Sequence, residues 1–231
     1  MVDDASTDSS LSVLKLYPAL RVIENKKNHG FAAACNIGVK EATGDVVVLL
    51  NSDVYPAEDF LDDLVHHFAS DARVFAVGCL EKVLNYNNQI VEERGVGRLY
   101  FKNGIFQHRA GDINSKVTDW VCGGSGAFRK NIFLALGGFD LRFAPFYWED
   151  IDLSYRAKLN GYKLLFEKNS VVYHKHTEGS IVKHHGENEI KKISFKNQIK
   201  FTQKHLGLDF FRWLQFVFFL VKVKIKSLHA D

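Results

Sequence analysis

Cysteine is scarce in this chain. Cys35, Cys79 and Cys122 are the only three, they lie far apart, and none forms a CxxC spacing. A disulfide scaffold or zinc knuckle is therefore not expected, and a reducing, cytoplasmic setting fits best. Charge of one sign is also lacking: 30 Lys and Arg against 27 Asp and Glu leave a formal net charge of +3. With no basic run interleaved with aromatics before the C-terminus, no nucleic-acid partner is expected. Residues 1–10 are acidic and hydroxylic without an apolar segment, so export by a signal peptide is not expected. No apolar run approaches the roughly 20 residues a membrane crossing needs. No G-x-G-x-x-G follows an expected strand, which disfavours a dinucleotide-dependent oxidoreductase. There is no internal repeat and no Pro/Ser-rich linker.

What is present is a chain of 231 residues, 46% hydrophobic and 25% charged, enough to bury a sizeable core. Strand-like and helix-like segments alternate. "RVIEN" reads as a short strand, "HGFAAACNIGVKEATG" as a helix of about three turns stopped at Gly44, and "DVVVLLNSD" as a parallel strand buried on both faces. These three form a strand–helix–strand unit with a right-handed crossover. Further on, "DDLVHHFASD" suits a helix, "VFAVGCLEKV" a strand, "VCGGSGAFRK" a glycine-rich loop, and "KLLFEKNSVVYHKH" one or two strands. The economical reading is one α/β domain over residues 1–205, with a mostly parallel sheet flanked by helices, followed by a distinct tail over residues 206–231.

Acids gather where strands should end. Asp3 and Asp4 follow an apolar residue in "VDDASTDSS", and Asn51, Ser52 and Asp53 follow Leu50. Ligands of open α/β sheets sit outside the carboxyl ends of the strands, and oxygen donors on such loops suit Mg²⁺ or Mn²⁺ shared with substrate phosphates. Plainer readings exist: Ser6 or Asp8 suits a helix cap near Ser9, and "NSD" suits a simple turn. His174 and His176 alternate on an expected strand and so share a face, fit for a metal or for polar surface. In "FYWEDIDLSYRAKLNGY", Asp152 and Arg156 have the spacing of a helical ion pair. Glu149 and Asp150 fall in the first turn of that helix, where free N–H groups favour carboxylates. The three rings of Phe146, Tyr147 and Trp148 before them suggest a desolvated pocket, which is what a general base needs.

Together, "VDDASTDSS", "NHGFAAACNIGVKEATGDVVVLLNSD", "WVCGGSGAFRKNIFLALGGFD" and "FYWEDIDLSYRAKLNGYKLLFEKNSVVYHKH" resemble the family 2 glycosyltransferases of GT-A fold, in particular their bacterial rhamnosyltransferase-like branch. The resemblance covers roughly residues 1 to 200. It implies inverting transfer of a sugar from a nucleotide diphosphate to a hydroxyl acceptor, a hexosyltransferase activity in cell-surface polysaccharide synthesis. It also implies roles. Asp53 is the expected metal ligand, with His174 and His176 as further candidates, and Asn51 stands where an aspartate is common. Asp3 or Asp4 meets the nucleotide base, and Gly30 and Asn36 lie beside the nucleotide with Ser52. Gly123, Gly124 and Trp148 face a glycan or lipid-linked acceptor. The base is Asp150 in preference to Glu149, with the rings holding the flat face of a sugar. No enzymic nucleophile is needed for inversion, in keeping with the lack of a Ser–His or Cys–His constellation. In this family a further strand, loop and helix normally precede "VDD", so the first strand is expected to be missing here. An inactive remnant that binds nucleotide or sugar is the alternative.

The tail, "LGLDFFRWLQFVFFLVKVKIKSLHAD", gathers aromatics and then alternates lysine with Val223 and Ile225. It reads either as a helix docked on the core or as an interfacial helix making peripheral contact with the inner face of the cell membrane.

Overall fold

The computed structural model describes residues 1–175, 181, 185–207 and 209–228, the last four by backbone alone. Val2–Asp3 (β1) pairs in parallel with Ile23–Glu24 (β2), and Ser10–Leu14 (α1) lies between them in sequence. The N-cap of that helix is Ser9, with neither Ser6 nor Asp8 in the capping position, though Asp8 Oδ1 accepts the Ser10 amide at 2.9 Å just before the first turn. Phe31–Glu41 (α2) packs on β1 and leads to Val46–Leu50 (β3). Val54–Pro56 (β4), Phe60–Ser70 (α3) and the long strand Val74–Leu84 (β5) follow. Ile90–Arg94 (β6) folds back on β5, and Gly97–Lys102 (β7) with Ile105–Ala110 (β8) makes a separate hairpin. Ser125–Arg129 (β9), Lys130–Ala135 (α4), Glu149–Leu159 (α5) and Lys163–His174 (β10) complete the domain. Glu187–His205 (α6) and Phe210–Leu228 (α7) close the chain.

The main sheet runs β3-β9-β5-β10-β4, with β6 added to β5. Only β5–β10 is parallel in it; β3–β9, β5–β9, β5–β6 and β4–β10 are antiparallel. The sheet is therefore mixed where a mostly parallel one was expected. A run of β-branched residues marks a buried strand but does not say which way its neighbour runs. β3 differs in burial too: it ends the sheet, and Val47 is its only buried residue. Nor do β2, α2 and β3 form a unit of one sheet, because β2 pairs with β1 in a ribbon of its own. Half of the expected glycine loop is strand, since "SGAFR" pairs with both β3 and β5. The carboxyl-terminal pattern resolves to one strand, β10, whose register on β5 shifts between Glu167 and Val171.

Both faces of the sheet are covered. Phe75, Phe128, Phe133, Phe139 and Leu153 pack on the side of α2, α4 and α5, while Phe60, Leu64, Val77 and Val172 pack on the side of α3. A third cluster of Phe106, Phe143, Trp148, Ile151 and Phe201 ties the hairpin, α5 and α6 together. A central sheet flanked by helices is the architecture expected of the class.

Candidate active site

The "NSD" segment leaves β3 at its carboxyl end and meets two other segments there. The Asn51 amide donates to the Gly124 carbonyl at 2.9 Å. A Cβ on Gly124 would lie 2.5 Å from Asn51 Nδ2, so glycine is what lets the loop close over that side chain. One residue back, the Gly123 amide donates to Asp150 Oδ2 at 3.4 Å. On the other flank, Asp53 Oδ2 lies 3.2 Å from His174 Nε2, at the end of β10. Asp53, His174, Asn51, Gly124, Gly123 and Asp150 thus form one strip across the strand ends, assembled from residues up to 121 positions apart in sequence. Ser52 is exposed beside it. His176 lies outside the described residues.

His174 is held from behind. Its Nδ1 meets Glu81 Oε1 at 2.5 Å, and Arg94 grips the same oxygen with Nε at 3.0 Å. Burial opposes the charged imidazole, yet Asp53 and Glu81 raise its pKa to about 9. Burial would likewise raise Glu81, but His174 and Arg94 hold it down at about 2. A carboxylate fixing the far nitrogen of an imidazole is the usual support behind a metal-binding histidine. With Nε2 paired to the Asp53 carboxylate the ring is an imidazolium at neutral pH, so a divalent cation binding here would take Asp53 as its oxygen ligand and reach Nε2 only by displacing its proton. Among the described residues no group of three or more His, Cys, Asp or Glu side chains is arranged to hold a metal ion, so a bound ion would draw its remaining ligands from substrate and solvent.

Glu149 and Asp150 divide into two environments. Glu149 is 5% exposed, and its Oε2 has no hydrogen-bond partner among the described residues. Burial, and then the charge of Asp150, push its pKa up to about 8. Asp150 is also raised by burial, but it accepts the Ile151 amide at 2.8 Å as well as that of Gly123. Both carboxyls are pushed up, and because the two amide bonds favour the charged form of Asp150 while Glu149 Oε2 has no such support among the described residues, Glu149 holds its proton the more tightly of the pair.

Several expected site residues stand elsewhere. Trp148 is 2% exposed and packs against His108 and Phe201, so its face is closed to a sugar; Phe146 is buried as well. Of the three rings only Tyr147, at 41%, is open to solvent. Tyr is at home half in and half out of water, whereas the larger indole filled the gap between α5 and α6. Asn36 uses both ends of its side chain on the backbone of Phe139, at 2.9 and 2.8 Å, and so locks α2 to the turn after α4. Asp4 accepts from Asn25 Nδ2 and from the amides of His29 and Gly30, which saturates its carboxylate and builds the entry to α2. Asp3 is buried and accepts the Ser6 amide at 3.1 Å. Gly30, at φ 84°, caps α2 close to the carbonyl of Pro145.

Three contributors escaped the sequence reading: Glu81, Arg94 and Asn197. Tyr147 and Trp148 both have positive φ, 69° and 78°, a conformation that costs a non-glycine residue on the order of 1–3 kcal/mol. Asn197, buried in α6, holds them there by donating from Nδ2 to the carbonyls of Phe143, Phe146 and Tyr147. A poor helix former in the middle of a helix, such as this asparagine, is the one signal that could have exposed it. Asn197→Ala is expected to lower stability by about 2 kcal/mol, read as a lower urea midpoint at unchanged slope.

The domain has the GT-A type of fold. The chain matches glycosyl transferase family 2 over residues 1–137, more than half its length, and belongs to that family. It is 26% identical over 157 residues to the pre-mycofactocin glycosyltransferase of Mycobacterium tuberculosis, across 68% of this chain and 32% of that protein. The chain thus spans about a third of the length of that relative. Among solved structures it is similar to GalNAc-T7 with UDP, GalNAc and Mn²⁺ (TM-score 0.62, 23% identity, 76% of this chain and 37% of that one). It is also similar to the mannosyltransferase PcManGT from Pyrobaculum calidifontis in complex with GDP-Man and Mn²⁺ (TM-score 0.55, 21% identity, 99% and 68%). At these identities the two structures speak for the fold.

Proposed function

We propose that the chain is an inverting glycosyltransferase that moves a sugar from a nucleotide diphosphate to a hydroxyl acceptor at the cytoplasmic face of the membrane. The observation that supports this most is the strip itself. It sets the Asp150 carboxyl group at one end and a carboxylate–imidazole pair, Asp53 and His174, at the other, with Asn51 and the Gly123–Gly124 loop between them. In that arrangement Asp150 accepts the acceptor hydroxyl's proton as its oxygen attacks the anomeric carbon, and the bond to the diphosphate breaks on the opposite side. Mg²⁺ or Mn²⁺ held by Asp53 and His174 would neutralise charge on the leaving diphosphate. Asp3, Gly30, Asn51 and Ser52 remain the residues proposed for the nucleotide side. Tyr147 takes the place of Trp148 on the acceptor side. A role in cell-surface polysaccharide synthesis and a rhamnosyl specificity are supported by the sequence resemblance.

Calorimetry with UDP and GDP, with and without Mn²⁺, tests the donor end. The expected result is Mn²⁺-dependent binding of at least one nucleotide that Asp53→Ala removes. Unchanged Mn²⁺-dependent affinity in Asp53→Ala would overturn the assignment.

A further inference from the structure

α7 has two opposite faces. One is docked: Phe216 is buried, the Phe219 ring lies 6.2 Å from that of Phe195 on α6, and the Arg212 guanidinium lies 5.4 Å from the centre of the Phe101 ring on β7. At Gly104, in the tip of the β7–β8 hairpin, a Cβ would stand 2.3 Å from the Gln215 carbonyl, so the helix rests directly on the hairpin backbone. The core therefore already has its share of this helix. The other face carries Phe211, Leu214, Phe218 and Val221, at i, i+3, i+7 and i+10, which is one stripe along a helix. All four are exposed, Phe211 at 75% and Phe218 at 59%. A row of large apolar groups turned to water on a folded domain marks a binding surface.

We infer that this outward stripe of α7 is a docking surface for an anionic lipid bilayer, with the helix lying in the plane of the headgroups. The charges favour lipid as the occupant. Between residues 210 and 228 the chain has Arg212, Lys222, Lys224 and Lys226 and no aspartate or glutamate. Such a helix complements a negatively charged headgroup layer, each nearby lysine contributing to the attraction. A second copy of the chain would set the same lysines against one another. The helix is not long and apolar enough to cross. Trp213, half exposed beside the stripe, suits the interface between acyl chains and water. Because α7 rests on the hairpin whose Phe106 packs in the cluster with Trp148, docking brings the acceptor half of the proposed site to the bilayer and suits an acceptor carried on a lipid. That last step rests on the transferase reading; the docking itself does not.

Flotation with vesicles of phosphatidylcholine alone, or with 30% phosphatidylglycerol, tests the surface on the full chain without any assay of turnover. Wild type is expected to float at least ten-fold more with the anionic vesicles. Phe211→Ser with Phe218→Ser should lose that recovery while keeping the wild-type circular dichroism and melting curve, since both side chains face away from the core. Lys222→Gln with Lys224→Gln should reduce it several-fold. Equal recovery of wild type and Phe211→Ser/Phe218→Ser would overturn the inference. So would a wild-type dimer in sedimentation that the same pair of substitutions dissolves, because the stripe would then be a protein–protein interface.

Discussion

Asp150→Asn is expected to lower turnover by a factor on the order of 10² to 10⁴ while nucleotide binding stays nearly unchanged. Asparagine keeps the shape and, with its single acceptor oxygen, retains the 2.8 Å bond from the Ile151 amide while giving up the longer 3.4 Å one from Gly123, so loss of basicity dominates. Glu149→Gln is the comparison that separates the pair. Glu149 holds a proton at neutral pH, and glutamine imitates that neutral form. Turnover near pH 7 should therefore fall much less than in Asp150→Asn. Its pH signature lies in stability. A carboxyl raised to about 8 in the folded state binds its proton more tightly there than in the unfolded chain. It contributes fully below its unfolded value, and that contribution is lost as pH rises toward and through 8. Glu149→Gln should accordingly melt at a higher temperature than wild type at pH 9, with the gap closing at pH 5. If Glu149→Gln abolishes turnover at pH 7 and Asp150→Asn does not, the base is Glu149.

The second large effect is on folding. Asp152 is completely buried at the centre of three side chains: Arg156 Nε, Lys204 Nζ and His205 Nε2 each lie 2.7 Å from one of its oxygens. Burial alone would raise its pKa, but His205, Arg156 and Lys204 hold it below the usual carboxylate value. Arg156 continues to the carbonyl of Gly138, so the cluster fastens α5 to α6 and to the turn after α4. Asp152→Asn leaves Arg156 and Lys204 facing a neutral amide in a dry interior and should cost about 3–5 kcal/mol. Chemical denaturation at pH 7 reads it. In wild type the stabilisation is present above the unfolded carboxylate value and fades as pH falls through the depressed one, so the two proteins should converge in acid. A loss under 1 kcal/mol would mean the cluster contributes no more than an exposed ion pair.

The Asp152–Arg156 pair shows how far local reading reaches. Spacing of four residues with the acid first fixed the contact, and helix α5 delivered it. Spacing said nothing of Lys204 and His205, which arrive from α6 about fifty residues later and turn a surface-type pair into a buried cluster. The aromatic run before Glu149 is a similar case. Its composition marked a desolvated place, but only the packing of Phe201 and His108 decided that Trp148 belongs to the core and Tyr147 to the opening.

Sequence by itself determined the class of fold, the helix that begins at Glu149, the polar ends of β3 and β10, and the acids and histidine placed there. These depend on short-range rules of periodicity, capping and turn chemistry, which act within a few residues and leave their mark in the string. Tertiary structure decided strand direction, the closing of Gly124 on Asn51, the Glu81–Arg94 support behind His174, the grip of Asn197 on the Tyr147 turn, and which of two adjacent carboxyls is supported by backbone amides. Each of those depends on groups brought together from distant parts of the chain in a low-dielectric interior. There burial and a single hydrogen bond outweigh residue type, and no local pattern records them.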